Sequence, residues 1–170
     1  EGVKVSYEGK VITVEGPRGK LSRDFSKSPI DLDLNGDKLF VTVWFPRAKL
    51  NAIPRTIASH VENMIVGVTK GYKTTIKAAH AHFPIEFRLE KTAEGTEVHI
   101  INFFGEKEIK KVMLDSDVTA ELSKEKKNEL YLFSNNIESI GRTASRLHFS
   151  CRIKNKDLRK FLDGIYVLNK

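Results

Sequence analysis

Hydrophobic and polar positions alternate along the first third of the chain, which is the pattern of β-strands that bury one face. Residues 3–7 and 30–34 alternate strictly, and residues 11–14 and 39–45 form apolar runs of strand length. Between residues 34 and 39, Asn35-Gly36 is typical of the two left-handed positions in a tight hairpin turn. These patterns predict a small antiparallel sheet.

A helical spacing follows the predicted sheet. Apolar residues recur every three or four positions, at Ile53, Ile57, Val61, Met64, Ile65 and Val68. We expect Asn51 to cap the start of this helix and Pro54 to be tolerated in its first turn. Gly67 and Gly71 bracket its expected end.

The same order of patterns then starts again. Strand-like segments lie at residues 85–89, 98–104, 109–114 and 130–133. Asn136 is expected to cap a second helix. The apolar face of that helix carries Ile137, Ile140, Ala144, Leu147 and Cys151.

Short sequence matches link the two halves. Residues 12–14, 38–41 and 55–58 resemble residues 98–100, 129–132 and 142–145, at offsets of 86, 91 and 87. Such near-constant offsets indicate an internal duplication. The sequence therefore predicts an α+β fold of two tandem similar domains, each a small antiparallel sheet packed against one main helix. The expected domains are residues 1–73 and 74–170, the second with a basic tail.

Charge is concentrated at the end of the chain. The 170 residues have a net charge of +7, and residues 142–170 hold eight basic and two acidic side chains. The basic side chains of this run are closely spaced, with one asparagine among them: Arg142, Arg146, Arg152, Lys154, Asn155, Lys156, Arg159 and Lys160. Such a run suits phosphate groups. From charge alone, a polyanionic partner and a merely solvated basic face both remain open.

Two aromatic residues accompany the basic run. Phe161 and Tyr166 would stack on unpaired bases if they are exposed. The alternative is that Phe161, Ile165 and Val167 anchor the tail on the core, and for Phe161 we favour this alternative because phenylalanine is usually buried. Asp163-Gly164 indicates a turn.

Catalytic and metal chemistry has no convincing candidate. His80 and His82 would share one face of a strand, but no third ligand lies near them in sequence. His148 and Cys151 have the spacing of a nucleophile and its base on a helix, yet Cys151, the only cysteine, continues the apolar face and is expected to be buried and unreactive. The glycines of residues 16–19 indicate a β-turn rather than a phosphate loop. We expect no catalytic residue, metal or cofactor, and the single cysteine fits a reducing compartment.

Several segments resemble the universal large-subunit ribosomal protein six family, in the eukaryotic and archaeal branch, where the eukaryotic member is large-subunit protein nine. The segments are VEGPRGKL at 14–21 with RDF at 23–25, then RT at 55–56, SHV at 59–61, NMI at 63–65 and GVTKG at 67–71, and further AHFPI at 81–85, NFFGEK at 102–107 and KNKDLRKFLDGIYV at 154–167. The last of these is the most specific, and the resemblance extends over essentially the whole chain.

The resemblance implies a structural constituent of the large ribosomal subunit that binds rRNA near the sarcin–ricin loop and the stalk base. Neighbouring stalk-base proteins and transiently docked translational GTPases are the other partners it implies. The implied location is the cytoplasmic ribosome, and the nucleolus during assembly if the source is eukaryotic. RNA contact carries over to the matching positions Lys154, Asn155, Lys156, Arg159 and Lys160.

Charge and position extend the predicted RNA-binding residues. The additions are Arg142, Arg146 and Arg152 from the basic run, and Lys70, Tyr72 and Lys73 near the domain junction. No apolar stretch approaches the roughly 20 residues that span a bilayer, so no membrane partner is expected. The alternatives are a basic interaction module that docks an acidic partner outside the ribosome, and a hydrolase that uses His148 and Cys151.

Overall fold

A computed structural model describes residues 2–36, 38–93, 95–124, 126 and 128–169. Contacts divide the chain into two units, Glu1–Gly71 and Tyr72–Lys170. The division lies two residues before the predicted boundary, because Tyr72 and Lys73 already pair with Ser134 and Phe133 in a sheet of the second unit. Each unit combines antiparallel strands with one long helix, so the predicted α+β class is confirmed.

The first unit consists of a three-stranded meander, a two-stranded ribbon and a helix. The meander is β1 (Lys4–Glu8), β2 (Val11–Gly16) and β3 (Gly19–Asp24), the ribbon is β4 (Asp31–Asn35) and β5 (Lys38–Thr42), and the helix is α1 (Ile53–Thr69). Alternation in β2 buries Ile12 and Val14 completely. They join the buried α1 stripe of Ile57, Val61, Met64 and Val68 in one core, as the helical spacing predicted.

Two local predictions in the first unit are wrong. Asn51 does not cap α1, because it lies inside a 3₁₀ turn, Leu50–Ala52, that runs directly into the helix. The N-cap position of α1 is therefore occupied by Ala52. The hairpin between β4 and β5 exists, but Asn35 is the last residue of β4 and the left-handed residue is Gly36, at φ +61°. The following turn position, residue 37, lies outside the described residues.

The second unit has two antiparallel sheets and a helix. The strands in chain order are β6 (Tyr72–Ala79), β7 (Glu86–Thr92), β8 (Gly95–Ile101), β9 (Lys110–Met113), β10 (Thr119–Leu122), β11 (Glu129–Ser134) and β12 (Gly164–Asn169), and the helix is α2 (Ile137–Ser150). Strands β7, β8 and β9 form one sheet, and the other has the order β10-β11-β6-β12. Each unit thus divides its strands between two sheets, where the sequence predicted one.

The second helix begins as predicted. The Asn136 side chain accepts a hydrogen bond from the Glu138 backbone N–H at 3.0 Å, which satisfies one of the unpaired donors of the first turn. The predicted apolar face packs into the core through Ile140, Ala144, Leu147 and Cys151. Ile137, at the start of the helix, is 38% exposed and lies outside the buried stripe.

The order of elements repeats between the units. A meander, a hairpin and a helix occur as β1–β3, β4–β5 and α1, and again as β7–β9, β10–β11 and α2. The second unit adds β6 before this series and β12 after it, and both added strands join its four-stranded sheet. None of the helices in the described ranges combines the length and apolarity needed to cross a bilayer.

The turn at residues 16–19 packs tightly on the end of α1. The Arg18 N–H donates to the Val68 carbonyl at 3.0 Å, and a Cβ at Gly16 would lie 2.6 Å from Val68 Cγ2. The predicted β-turn is confirmed, with Gly16 opposite Gly19.

We expect Gly16→Ala to lower the free energy of unfolding by about 1–3 kcal/mol, because the added methyl overpacks this contact. Gly141→Ala is the matched control, since Gly141 is exposed in α2 and has nothing within 4 Å of the new Cβ. The control is expected to be neutral or to stabilise by up to about 1 kcal/mol. Urea unfolding of both variants measures the difference, and equal effects would contradict this packing.

Candidate nucleic-acid interface

The predicted RNA-binding residues concentrate in the segment between α2 and β12, residues 152–163, which we call the basic loop. Its five cationic side chains are exposed: Arg152, Lys154, Lys156, Arg159 and Lys160. The loop is anchored at both ends. Cys151 and Ile153 are 4% and 8% exposed on one side, and Ile165 is 1% exposed on the other.

Asp157 organises the middle of the basic loop. Its side chain accepts the Arg159 N–H at 2.9 Å, and its carbonyl oxygen accepts the N–H groups of Lys160 and Phe161, both at 3.0 Å. Just before it, Asn155 has a left-handed backbone at φ +58°, a conformation that asparagine tolerates better than most residues. These local bonds fix the turn from which the cationic side chains project.

The second acidic residue of the basic loop also binds the backbone. Asp163 Oδ1 accepts the Ala81 N–H at 3.2 Å, which joins the end of the loop to the segment after β6. Neither carboxylate forms an ion pair with a cation in the part of the chain that the structure describes. Within the described ranges, none of the five cations of the basic loop forms an ion pair.

Two further arginines of the predicted site lie on α2 and do have a partner. Arg146 Nη1 lies 2.7 Å from Asp115 Oδ1, and Arg142 Nη1 lies 3.5 Å from Asp115 Oδ2. Asp115 is largely covered, with 17% of its side chain exposed. The charge of these two arginines is thus partly neutralised within the protein, unlike that of the basic loop.

The three candidates near the junction are divided between the two units, and the two in the second unit lie on opposite faces of β6. Lys70 is exposed at the C-terminal end of α1, in the first unit. Tyr72 packs against the core of the second unit, where burial raises the pKa of its phenol. Lys73, next in β6, lies on the opposite face of the strand, with its ammonium group 4.1 Å from the centre of the Tyr131 ring.

Aromatic and aliphatic side chains line a cavity of about 300 Å³ beside the basic loop, among them Phe149, Leu158, Phe161 and Tyr166. The favoured interpretation of Phe161 as a core residue is wrong, because its ring is 40% exposed and packs edge-on against Phe104 at 5.7 Å. Val167 is likewise 39% exposed, so Ile165 alone of the three predicted anchors is fully buried. Tyr166 is 39% exposed, and its hydroxyl donates to the Leu162 carbonyl at 2.9 Å.

His148 and Cys151 do not form a catalytic pair. His148 Nδ1 lies 2.6 Å from the Ile165 carbonyl, which only accepts, so this nitrogen carries the proton and donates. The Cys151 thiol contacts Ser150 Oγ at 3.7 Å, and burial raises the pKa of the thiol above its ordinary value. The reactive thiolate is therefore disfavoured.

The two other histidines considered as ligands lie outside any strand. β6 ends at Ala79, so His80 and His82 fall in the following loop rather than on one strand face as predicted. His80 Nδ1 lies 3.5 Å from Asn128 Nδ2, and the His82 ring packs edge-on against Phe83. Within the ranges that the structure describes, no three His, Cys, Asp or Glu side chains cluster as a metal site would require.

Three aspartates that shape this surface were not identified from the sequence: Asp115, Asp157 and Asp163. The spacing Asp157-Leu158-Arg159 is a recognisable signal for an aspartate that bonds the backbone two residues on. No such signal exists for Asp115, because its arginine partners are 27 and 31 residues away.

Comparison with known proteins gives a consistent result. The profile of the family described as ribosomal protein L6 matches residues 1–71. The chain is 40% identical over 168 residues to the large ribosomal subunit protein uL6 of Candida albicans, covering 98% of this chain and 88% of that protein. It is 39% identical to uL6A of Saccharomyces cerevisiae, with coverages of 100% and 90%, and 37% identical to uL6 of Tetrahymena thermophila, with coverages of 99% and 89%.

We expect the Cys151 thiol to resist a thiol reagent in the native protein and to react at once after unfolding in urea, because it is buried and protonated. Since Cys151 is the only cysteine, the signal is unambiguous. The variant Cys151→Ser with Lys91→Cys supplies an exposed thiol as the control for reagent activity. Native labelling of Cys151 as fast as this control would revive the hydrolase hypothesis.

Proposed function

The chain belongs to the ribosomal protein L6 family, and from this membership we propose that it is a structural constituent of the large ribosomal subunit. It acts by binding large-subunit rRNA and performs no catalysis of its own. The relatives that support this role match the chain over nearly its whole length, so both units are included in the proposal.

The observation that carries RNA binding is the set of unpaired cations on the basic loop. Both acidic residues of the loop bind backbone N–H groups, so its five positive charges lack internal counterions among the described residues. Phosphate groups that approach this loop release condensed counterions, which favours binding. Because the loop is anchored at both ends, little further ordering is needed when RNA binds.

The contacts are assigned residue by residue. Lys154, Lys156 and Lys160 supply point charges, and Arg159 and Arg152 supply forked donors that fit two phosphate oxygens. The exposed Asn155 amide offers a neutral donor and acceptor beside them, suited to a phosphate or a ribose hydroxyl. The half-exposed Tyr166 ring is a stacking surface for an unpaired base at the edge of the loop.

The remaining predicted residues form a second zone. Arg142 and Arg146 reach phosphate only in competition with Asp115, so they contribute less to affinity than the basic loop does. Lys70 and Lys73 are exposed and add charge near the junction, whereas Tyr72 supports β6 from the core side. We retain Tyr72 as a residue that positions Lys73.

The finer placement rests on the family resemblance of residues 154–167. We propose that the basic loop contacts rRNA near the sarcin–ricin loop and the stalk base, beside neighbouring proteins of the large subunit. Translational GTPases would pass close to it as they dock. The corresponding location is the cytoplasmic ribosome, with passage through the nucleolus during assembly if the source organism is eukaryotic.

We expect Lys156→Ala with Arg159→Ala to weaken binding to purified large-subunit rRNA and to leave the unfolding midpoint nearly unchanged. Both side chains are exposed and form no ion pair among the described residues, and Lys156 has only a distant contact with the Phe161 ring, 5.8 Å from its ammonium group. The slope of log affinity against log salt should become shallower by roughly two, about one for each lost phosphate contact. Lys91→Ala with Lys111→Ala is the matched control. It removes two exposed cations from the β7–β9 sheet of the same unit.

Equal slopes for both double variants would contradict the assignment of the basic loop. Retention on acidic protein or anionic vesicles, without retention on rRNA, would instead support the alternative of a basic interaction module outside the ribosome.

We expect Asp115→Asn to increase rRNA affinity by up to about fivefold, because it releases Arg142 and Arg146 from a surface ion pair of modest strength. Asp117→Asn is the control, since it removes the same charge two residues away without touching either arginine. Equal gains from both variants would show a general charge effect. Adding Arg142→Ala and Arg146→Ala to Asp115→Asn should abolish the gain, and binding titrations measure all four proteins.

A further inference from the structure

The first unit exposes three large aromatic side chains, which we call the aromatic patch: Phe40, Trp44 and Phe45. Their exposed fractions are 47%, 70% and 96%. Tryptophan and phenylalanine are favoured at the centres of protein–protein interfaces, and rings this open are unusual on a surface that only meets water. The patch lies outside the predicted RNA-binding residues.

The ribbon of β4 and β5 places the patch beside two carboxylates. Asp33 is opposite Phe40 in the register, and Asp31 is opposite Thr42. Because side chains alternate along strands, these residues share the exposed face, while Leu32 of β4 and Leu39 and Val41 of β5 pack against the core. Trp44, two residues after Thr42, continues the same alternation beyond the end of β5.

Trp44 is held in place despite its exposure. Its indole N–H donates to Asp31 Oδ2 at 2.6 Å, a charge-assisted hydrogen bond from the adjacent strand. The ring is therefore preorganised as a flat surface over the end of the ribbon. Preorganised aromatic groups lose little conformational entropy when a partner binds.

The backbone of Phe45 adopts a conformation that is unfavourable for a residue with a bulky side chain. Its backbone has φ +48°, in the left-handed region that bulky residues avoid, and its side chain is 96% exposed. No burial of its ring compensates for this strain. Backbone strain of this kind concentrates at binding sites.

The charge of this surface selects the partner. Within the described part of the chain, neither Asp31 nor Asp33 forms an ion pair, and the Asp33 carboxylate is oriented by the Asn35 amide at 2.9 Å. Lys38, opposite Asn35, is the one cation that β4 and β5 place on this face, so the two carboxylates leave it with a net negative charge. Aromatic faces attract cations. A guanidinium group can stack on an indole ring and can also donate two parallel hydrogen bonds to a carboxylate. We infer that Phe40, Trp44, Phe45, Asp31 and Asp33 together dock an arginine-bearing segment of a protein partner.

A nucleic acid fits this surface less well. The two carboxylates repel phosphate groups and outnumber Lys38, the one cation of β4 and β5 on this face. The cations that follow the patch, Arg47 and Lys49, belong to the segment leading to α1. The inference does not depend on the basic loop, so its failure would leave the proposed rRNA contact untouched.

Trp44 provides the readout, because it is the only tryptophan in the chain. The full-length protein is titrated with a blocked peptide of alternating arginine and glycine, and the emission of Trp44 is recorded. We expect a saturable change in emission. A lysine–glycine peptide of equal charge should bind about fivefold more weakly, because an ammonium group neither stacks on a ring nor donates two parallel hydrogen bonds to a carboxylate as guanidinium does.

Two variants separate docking from stability. Asp33→Asn keeps the side-chain shape and should weaken the arginine peptide severalfold, without changing the unfolding midpoint. Phe45→Gly should raise the midpoint, since glycine is relaxed at φ +48°, and yet weaken the peptide. Lys27→Ala is the control, an exposed residue outside the ribbon that should change neither quantity.

Three results would overturn the inference. The first is that the arginine peptide causes no saturable change in Trp44 emission. The second is that the wild type binds the arginine and lysine peptides with equal affinity and that Asp33→Asn binds both as tightly as the wild type does. The third is a saturable change produced by single-stranded oligoadenylate in place of the peptide, which would assign the patch to nucleic acid.

Discussion

The proposed RNA-binding surface depends on which hydrogen bonds two carboxylates accept. Asp157 and Asp163 accept backbone N–H groups, at 2.9 and 3.2 Å, instead of pairing with the cations around them. These bonds fix the shape of the basic loop and at the same time leave its lysines and arginines without an ion pair among the described residues. The same acids paired with Lys156 or Arg159 would give a looser loop and a weaker positive field.

The basic loop in turn depends on contacts between distant parts of the chain. β12, which follows the loop, pairs with β6, and β6 pairs with β11, so residues 72–79 lie between strands that come much later in the sequence. His148 adds a bond from α2 to the Ile165 carbonyl of β12. The loop therefore acquires its geometry only when the second unit has folded around β6.

Local patterns in the sequence predicted much of this fold, and long-range pairing explains what they missed. The stripe of α1, the Asn136 cap and the β4–β5 hairpin follow from spacing and turn chemistry within a few residues. β6 and β12 went unpredicted because neither has a local partner, and β10 because its four residues are mostly exposed and show no apolar alternation. The basic run was visible in the sequence, but its division into unpaired cations and arginines held by Asp115 was not, since that contact spans about 30 residues.

Lysine footprinting of the native large subunit tests the central claim most directly. Acetylation rates are compared between the free protein and the protein inside intact particles, with mass spectrometry of each lysine. We predict that Lys154, Lys156 and Lys160 are protected in the particle and become reactive again after rRNA is digested, while Lys27 and Lys91 react at similar rates throughout. Equal reactivity of the three loop lysines in the free and the particle-bound protein would contradict the account.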